Sequence, residues 1–193
     1  MKRLQHASAP AGRSAARFAF VLLALCGLTF GGAAHGEPLK PWTGGATPAL
    51  VLKDPAGKTY DLTAYRGKVV LVNFWATWCP PCREEMPSMQ ALHQELGARG
   101  FEVLAVNLSE SEEKIAAFSD SELIDLPFPM DRDGAAARRW KVNMLPASFV
   151  IDRSGRIRYH LLGEANWTAA DVKPTIERLL GAGTNGQSAS AAH

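Results

Sequence analysis

The apolar run Val69-Val70-Leu71-Val72-Asn73-Phe74-Trp75 ends just before a cysteine pair, Cys79-Pro80-Pro81-Cys82. The run lacks the alternation of a half-buried strand and reads as a central strand, Lys68 to Trp75, covered on both faces. Helix formers follow at Arg83-Glu84-Glu85-Met86. Met86, Met89, Leu92 and Leu96 then recur at helical spacing, predicting a helix from about Cys79 to Arg99 with Gly100 as its C-cap. A strand that hands a Cys-x-x-Cys to the start of a helix constrains the fold and the chemistry together. The next strand, Phe101 to Asn107, should complete a right-handed β-α-β crossover. The cysteine pair, at the point where strand passes into helix, is laid out for thiol–disulfide exchange.

The remaining elements fit around that unit. Ala49 to Leu52 and Thr59 to Leu62 form a hairpin turned by Asp54-Pro55-Ala56-Gly57. Helices are expected at Ser111 to Phe118, Ala135 to Trp140 and Thr168 to Leu180, with a short extended piece around Phe128 and Met130. Ser148 to Ile151 and Arg156 to Leu162 read as antiparallel strands joined by Asp152-Arg153-Ser154-Gly155. The expected fold class is α/β, a central mixed sheet with helices on both faces. Pro87 should interrupt and kink the long helix.

Three segments lie outside this domain, which spans residues 49–180. Residues 1–36 carry Lys2, Arg3, Arg13 and Arg17 and no acid, then an apolar stretch from Phe18, then small residues. This is the pattern of a signal peptide. The apolar stretch 18–34 also reaches the lower limit for a membrane span, so a retained signal anchor is the alternative. Either way the domain is expected to be exported to the periplasm. Residues 37–48 are rich in Pro and Gly and read as a linker. Residues 181–193 read as a disordered tail.

Without residues 1–36, the formal net charge of +2 becomes mildly negative, 17 Lys and Arg against 19 Asp and Glu. Nothing there favours nucleic-acid binding. Export leaves Cys79 and Cys82 as the domain's only cysteines, since Cys26 sits within the apolar stretch. In an oxidising compartment disulfides persist, but a loop this short constrains the unfolded chain little. The pair therefore reads as redox-active rather than structural.

Cys79, at the first helical turn, is the expected attacker, because unpaired N–H groups and the helix dipole favour a thiolate there. Cys82, one turn deeper, is the expected resolving thiol. Pro80 and Pro81 have no N–H to offer. The Cys79 thiolate is then poorly stabilised, which makes the couple reducing and the protein an electron donor. Glu85 lies on nearly the same helix face as Cys82. It could accept the Cys82 proton, or it could be a solvated helix glutamate like Glu84.

The stretch Val72-Asn73-Phe74-Trp75-Ala76-Thr77-Trp78-Cys79-Pro80-Pro81-Cys82-Arg83-Glu84-Glu85-Met86-Pro87 resembles the TlpA/ResA branch of the thioredoxin superfamily, exported thiol–disulfide oxidoreductases that are often tethered to a membrane. The resemblance spans roughly Ala49 to Leu180. It implies a thioredoxin-like fold with an N-terminal β-hairpin and a central insertion, Glu102 to Trp140. It implies that Glu85 matches the acidic residue of ResA-like members, and that Pro146 is the cis-proline facing the disulfide, although an X–Pro bond is trans on base rates. Leu145 would offer its backbone to a bound peptide, and Trp78 and Pro80 would border the same groove. Asn73 stands where cytoplasmic thioredoxins carry a buried Asp, and Ala147 replaces the usual Thr after the cis-proline. The loop of the cytochrome-maturation CcmG/DsbE relatives is missing around Lys141 to Pro146, which argues against their haem-ligation role.

The implied partners are a disulfide-containing exported client, of cytochrome c or copper-site assembly type, and a membrane thiol transporter of the DsbD/CcdA type as electron donor. No cofactor and no metal is expected, and the chain is expected to be monomeric. Two alternatives remain. A thiol peroxidase would require a Pro-x-x-x-Thr-x-x-Cys pattern, which Thr77 does not complete. A copper(I) carrier would use both thiolates and a distant histidine, for which His160 is the candidate. Trp42, Trp140 and Trp167 read as packing residues, and Trp75 and Trp78 as bordering the disulfide.

Overall fold

A computed structural model describes residues 39–181. The export segment, the start of the linker and the tail beyond Gly181 lie outside the described residues. The strands are β1 (Lys40–Pro41), β2 (Val51–Lys53), β3 (Thr59–Asp61), β4 (Val69–Trp75), β5 (Phe101–Leu108), β6 (Met130–Asp131), β7 (Ala147–Ile151) and β8 (Ile157–Leu162). The helices are α1 (Pro80–Leu96), α2 (Glu112–Glu122), α3 (Ala135–Arg139) and α4 (Lys173–Gly181). The strands form one mixed sheet in the order β1-β8-β7-β4-β5-β6-β2-β3. β4 is parallel to β5 and antiparallel to β7.

Every residue of β4 is buried, as a strand covered on both faces requires. Strand alternation divides its side chains between two cores. Val69, Leu71 and Trp75 face Met86, Met89, Leu92 and Leu96 of α1, Ile115 and Phe118 of α2, and Ile176 and Leu180 of α4. Val70, Val72 and Phe74 face the other core, with Ala136 and Ala137 of α3, Trp140 and Phe149. Asn73 shares the parity of Leu71 and Trp75, which points it at α1. The cysteines lie on this α1 side.

Three expectations change. The linker 37–48 contains β1, an edge strand whose Lys40 and Pro41 pair with His160 and Tyr159 of β8. A proline fits there because an edge strand has one side without ladder bonds. Trp42, just beyond, packs edge-on to Phe149 at 5.6 Å and to His160 at 5.4 Å. The last helix starts at Lys173, not Thr168. Pro174 belongs in a first helical turn, where its missing N–H is not needed, and Asn166 instead holds Thr168 in a turn through its backbone N–H and hydroxyl. Finally, α1 runs unbroken through Pro87. Pro87 removes a single ladder bond, the neighbouring Ser88 hydroxyl donates to the Glu85 carbonyl at 2.8 Å, and Met86 and Met89 hold the helix against the core. Among the described residues no helix is long and apolar enough to cross a membrane.

The β7–β8 turn carries a tie across the base of the domain. The Arg153 guanidinium donates to the carbonyls of Gly67 at 2.6 Å, Arg99 at 3.2 Å and Leu180 at 2.9 Å. It joins the approach to β4, the end of the α1 region and the end of α4. Arg153→Met keeps the aliphatic stem and removes the donors, so it should lower stability by about 2 kcal/mol, within the range for charge-assisted bonds. A denaturant midpoint unchanged from wild type would show that water replaces these bonds without loss.

Candidate active site

Cys79 and Cys82 are joined in a disulfide with Cα atoms 5.3 Å apart. Cys79 is the N-cap of α1, with an extended backbone, and Pro80 and Pro81 occupy the first two helical positions. The first turn of α1 therefore offers only the Cys82 N–H near the Cys79 sulfur. The next amide, Arg83, already donates to the Cys79 carbonyl at 3.2 Å. Cys79 is 4% exposed and Cys82 0%, so an incoming group meets Cys79 first. Trp78 is 66% exposed and Pro80 is exposed, giving the disulfide an apolar border. Leu145–Pro146 is a cis peptide, as the resemblance implies and against the ordinary preference. It directly precedes β7, which pairs with β4. Leu145 is half-buried and packs against both cores.

Glu85 is not a solvated helix residue. It is 2% exposed, while Glu84 beside it is exposed. The helical phase set by Cys82, Met86 and Met89 turns position 85 toward the sheet, and three donors meet it there. Asn73 Nδ2 donates to Glu85 Oε1 at 2.7 Å. The Ala165 N–H at 3.2 Å and Trp167 Nε1 at 3.1 Å donate to Oε2. Desolvation raises the Glu85 carboxyl from its ordinary 4.5 to about 7, although the hydrogen bonds from Trp167, Ala165 and Asn73 pull the other way; the Glu164 charge adds to the rise. A buried carboxyl titrating near neutrality can take up a proton and release it again. Asn73, wholly buried, also donates to Ser148 Oγ at 2.8 Å, and its Oδ1 has no partner.

Sequence reading missed two groups that surround the site. Trp167 packs, as expected, but also donates to Glu85 from a loop 82 positions further along the chain, which no local pattern encodes. Glu110 follows β5 and accepts from both the N–H and the hydroxyl of Thr77 at 2.6 Å. The parallel register Trp75↔Asn107 brings these two segments side by side. The Thr77 hydroxyl is thereby committed to Glu110. His160 sits opposite Phe149 in the β7–β8 ladder and packs on Trp42, toward the core on the far face of the sheet from the cysteines. The histidine and thiolates of the copper-carrier alternative are thus not brought together. Among the described residues no group of three or more His, Cys, Asp and Glu is arranged to hold a metal ion.

Residues 43–160 match the model of the AhpC/TSA family. The thiol-disulfide oxidoreductase ResA of Geobacillus thermodenitrificans is 35% identical over 159 residues, 82% of this chain and 90% of that protein. The ResA of Bacillus subtilis is 33% identical over 137 residues, 71% of this chain and 76% of its own length. A crystal structure from Chlorobium tepidum, provisionally described as the thiol:disulfide interchange protein DsbE, superposes with a TM-score of 0.66 at 28% identity, covering 76% of this chain and 99% of that one. The α/β fold described above is thioredoxin-like.

Proposed function

We propose that this chain, which belongs to the AhpC/TSA family and is a ResA-like thiol–disulfide oxidoreductase of the thioredoxin superfamily, reduces disulfides of exported client proteins. The observation that carries the direction of electron flow is the start of α1. With prolines at its first two positions, few N–H groups stabilise a Cys79 thiolate, and a poorly stabilised thiolate makes the dithiol the stronger donor.

In the reduced protein the Cys79 thiolate attacks one sulfur of the client disulfide. A bond forms between Cys79 and that sulfur, and the other client sulfur leaves as a thiolate. Cys82 then gives its proton to Glu85 and attacks Cys79 Sγ. The Cys79–Cys82 disulfide forms, and the second client thiolate is released and protonated. Two electrons have moved to the client. Glu85 fits the acceptor role because it is buried near Cys82 on α1 and titrates near neutral pH. Trp78, Pro80, Leu145 and Pro146 would form the client groove, with the Leu145 backbone pairing to an extended peptide.

The basic and apolar start of the sequence supports an extracytoplasmic site of action, with residues 18–34 either removed or retained as an anchor. There the protein would need an electron supply, for which a membrane thiol transporter of the DsbD/CcdA type is the fitting donor. Clients of cytochrome c or copper-site assembly type carry the paired thiols such a protein would serve. The reductase reading is tested by the reduction potential from equilibration with glutathione. The expected value is well below the about −120 mV of a strong periplasmic oxidant, and a value near that figure would reverse the assignment.

A further inference from the structure

Glu110 takes no part in the exchange steps above, yet it is tied to the turn that carries Cys79. Its Oε2 accepts from the Thr77 N–H at 2.6 Å and from Asn107 Nδ2 at 2.9 Å, and its Oε1 accepts from the Thr77 hydroxyl at 2.6 Å. The Cys79 N–H donates back to the Ala76 carbonyl at 3.2 Å. Thr77 and Trp78 are therefore the middle residues of a turn that ends on Cys79, and Glu110 grips that turn at its centre. Partial burial pushes the Glu110 carboxyl upward, but the hydrogen bonds from Thr77 and Asn107, with the attraction of Lys114, hold it below its usual range. It is ionised throughout the neutral range.

We propose that Glu110 is a positioning residue whose fixed negative charge, held on Thr77 two residues before Cys79 in the chain, opposes thiolate formation at Cys79 and restrains its attack. The charge works against the α1 dipole, in the same sense as the missing N–H groups of Pro80 and Pro81. The inference rests on the reductase reading and deepens it, since both describe a thiolate kept poorly stabilised. Other charged groups on the elements around the turn are engaged elsewhere or differently placed. Arg83, on α1, is ion-paired with Glu122 at 2.6 Å. Glu84 is exposed, Glu85 is buried against Asn73 and Trp167, and Lys114 on α2 acts on Glu110. Of these charged side chains, Glu110 is the one that accepts from residues 76–79.

Two substitutions separate charge from grip. In Glu110→Gln the amide oxygen can take the Thr77 and Asn107 N–H bonds. The amide nitrogen then donates to the Thr77 hydroxyl, which turns to accept. The bonds survive and the charge is gone. In Thr77→Val a bond is gone and the charge stays. The measurement is the pH dependence of iodoacetamide alkylation of the reduced full-length protein, read at Cys79 by mass spectrometry. For Glu110→Gln the Cys79 pKa should fall by about half a unit, the scale of one charge within roughly 10 Å at an intermediate dielectric. Alkylation below the pKa should quicken about two-fold, because the larger thiolate fraction is partly offset by lower nucleophilicity. Thr77→Val should leave the Cys79 pKa where it is in wild type.

An unchanged pKa in Glu110→Gln overturns the proposal. So does an equal fall in Thr77→Val, because the effect would then come from the turn's geometry. Each variant is compared with wild type in near-ultraviolet circular dichroism, so that loss of fold is seen directly. The shift is measured relative to wild type whatever the wild-type reduction potential, so failure of the reductase reading and failure of this inference give different results.

Discussion

A Cys82→Ala protein is expected to stay covalently joined to its client. Cys79 can still attack, because it is the cysteine at the surface end of α1 and Cys82 contributes no exposed area. The first step forms the mixed disulfide and releases one client thiolate, as in wild type. The second step has no nucleophile, since Cys82 is the only other cysteine of the described domain. Release then depends on a thiol from outside, and uncatalysed disulfide rearrangement takes on the order of minutes to hours. The adduct should accumulate as a slower band on non-reducing gels and disappear on reduction, and mass spectrometry of the band identifies the client. The mirror substitution, Cys79→Ala, should give no adduct because Cys82 is buried. Equal trapping by both variants would abolish the roles assigned to the two cysteines, and trapping by Cys79→Ala alone would exchange them.

The second large effect belongs to Glu85→Gln. Its neighbours all donate to the carboxylate, so the new amide nitrogen needs an acceptor. Asn73 can supply one by rotating its amide. Its unpartnered Oδ1 would then accept from Gln and from the Ser148 hydroxyl. The fold should therefore survive while the proton acceptor is lost. Positioned general bases contribute typically about 10²–10⁴-fold, so resolution of the mixed disulfide near neutral pH should slow by about a hundred-fold or more. Stopped-flow measurement of the second step, with the first monitored separately, checks this. An unchanged second step would mean that Cys82 loses its proton to water.

Glu85 also makes stability depend on pH, with a sign that can be worked out. Its carboxyl titrates at 4.5 when unfolded and at about 7 when folded. Between those values the folded state holds a proton that the unfolded state has released. Stability therefore falls as pH rises through this window. It is highest, for this group, below 4.5, and by pH values above 7 it has lost about 3 kcal/mol on the scale of 1.36 kcal/mol per unit. Denaturant midpoints of wild type should decline across that window, and Glu85→Gln should lack this part of the decline. A variant with the wild-type slope would place the titration on another group.

The legibility of this site in the sequence followed the range of the interactions. The cysteine pair, the prolines between them and the apolar run before them lie within a few residues, and β4 and α1 formed where that pattern placed them. Glu85 carried a local signal that was only half read. Its phase with Cys82, Met86 and Met89 turns it inward, but phase alone does not say whether the facing surface is water or sheet. The short strand within 37–48 was illegible for a similar reason. Lys40 and Pro41 have little strand preference of their own and are extended because β8 offers them a free edge.

The sequence by itself determined the chemistry. Two cysteines on the first turn of a helix, with no N–H at the prolines between them, specify thiol–disulfide exchange and bias its direction, because bonding and dipole effects act within one turn. Only the tertiary structure decided what surrounds Glu85 and which group holds the turn before Cys79. Glu85 is buried and held by groups 12, 80 and 82 positions away, and Glu110 reaches Thr77 across 33. Desolvation and hydrogen-bond partnership exist only once the sheet has set β4 beside β5 and the loop after β8 has closed over α1.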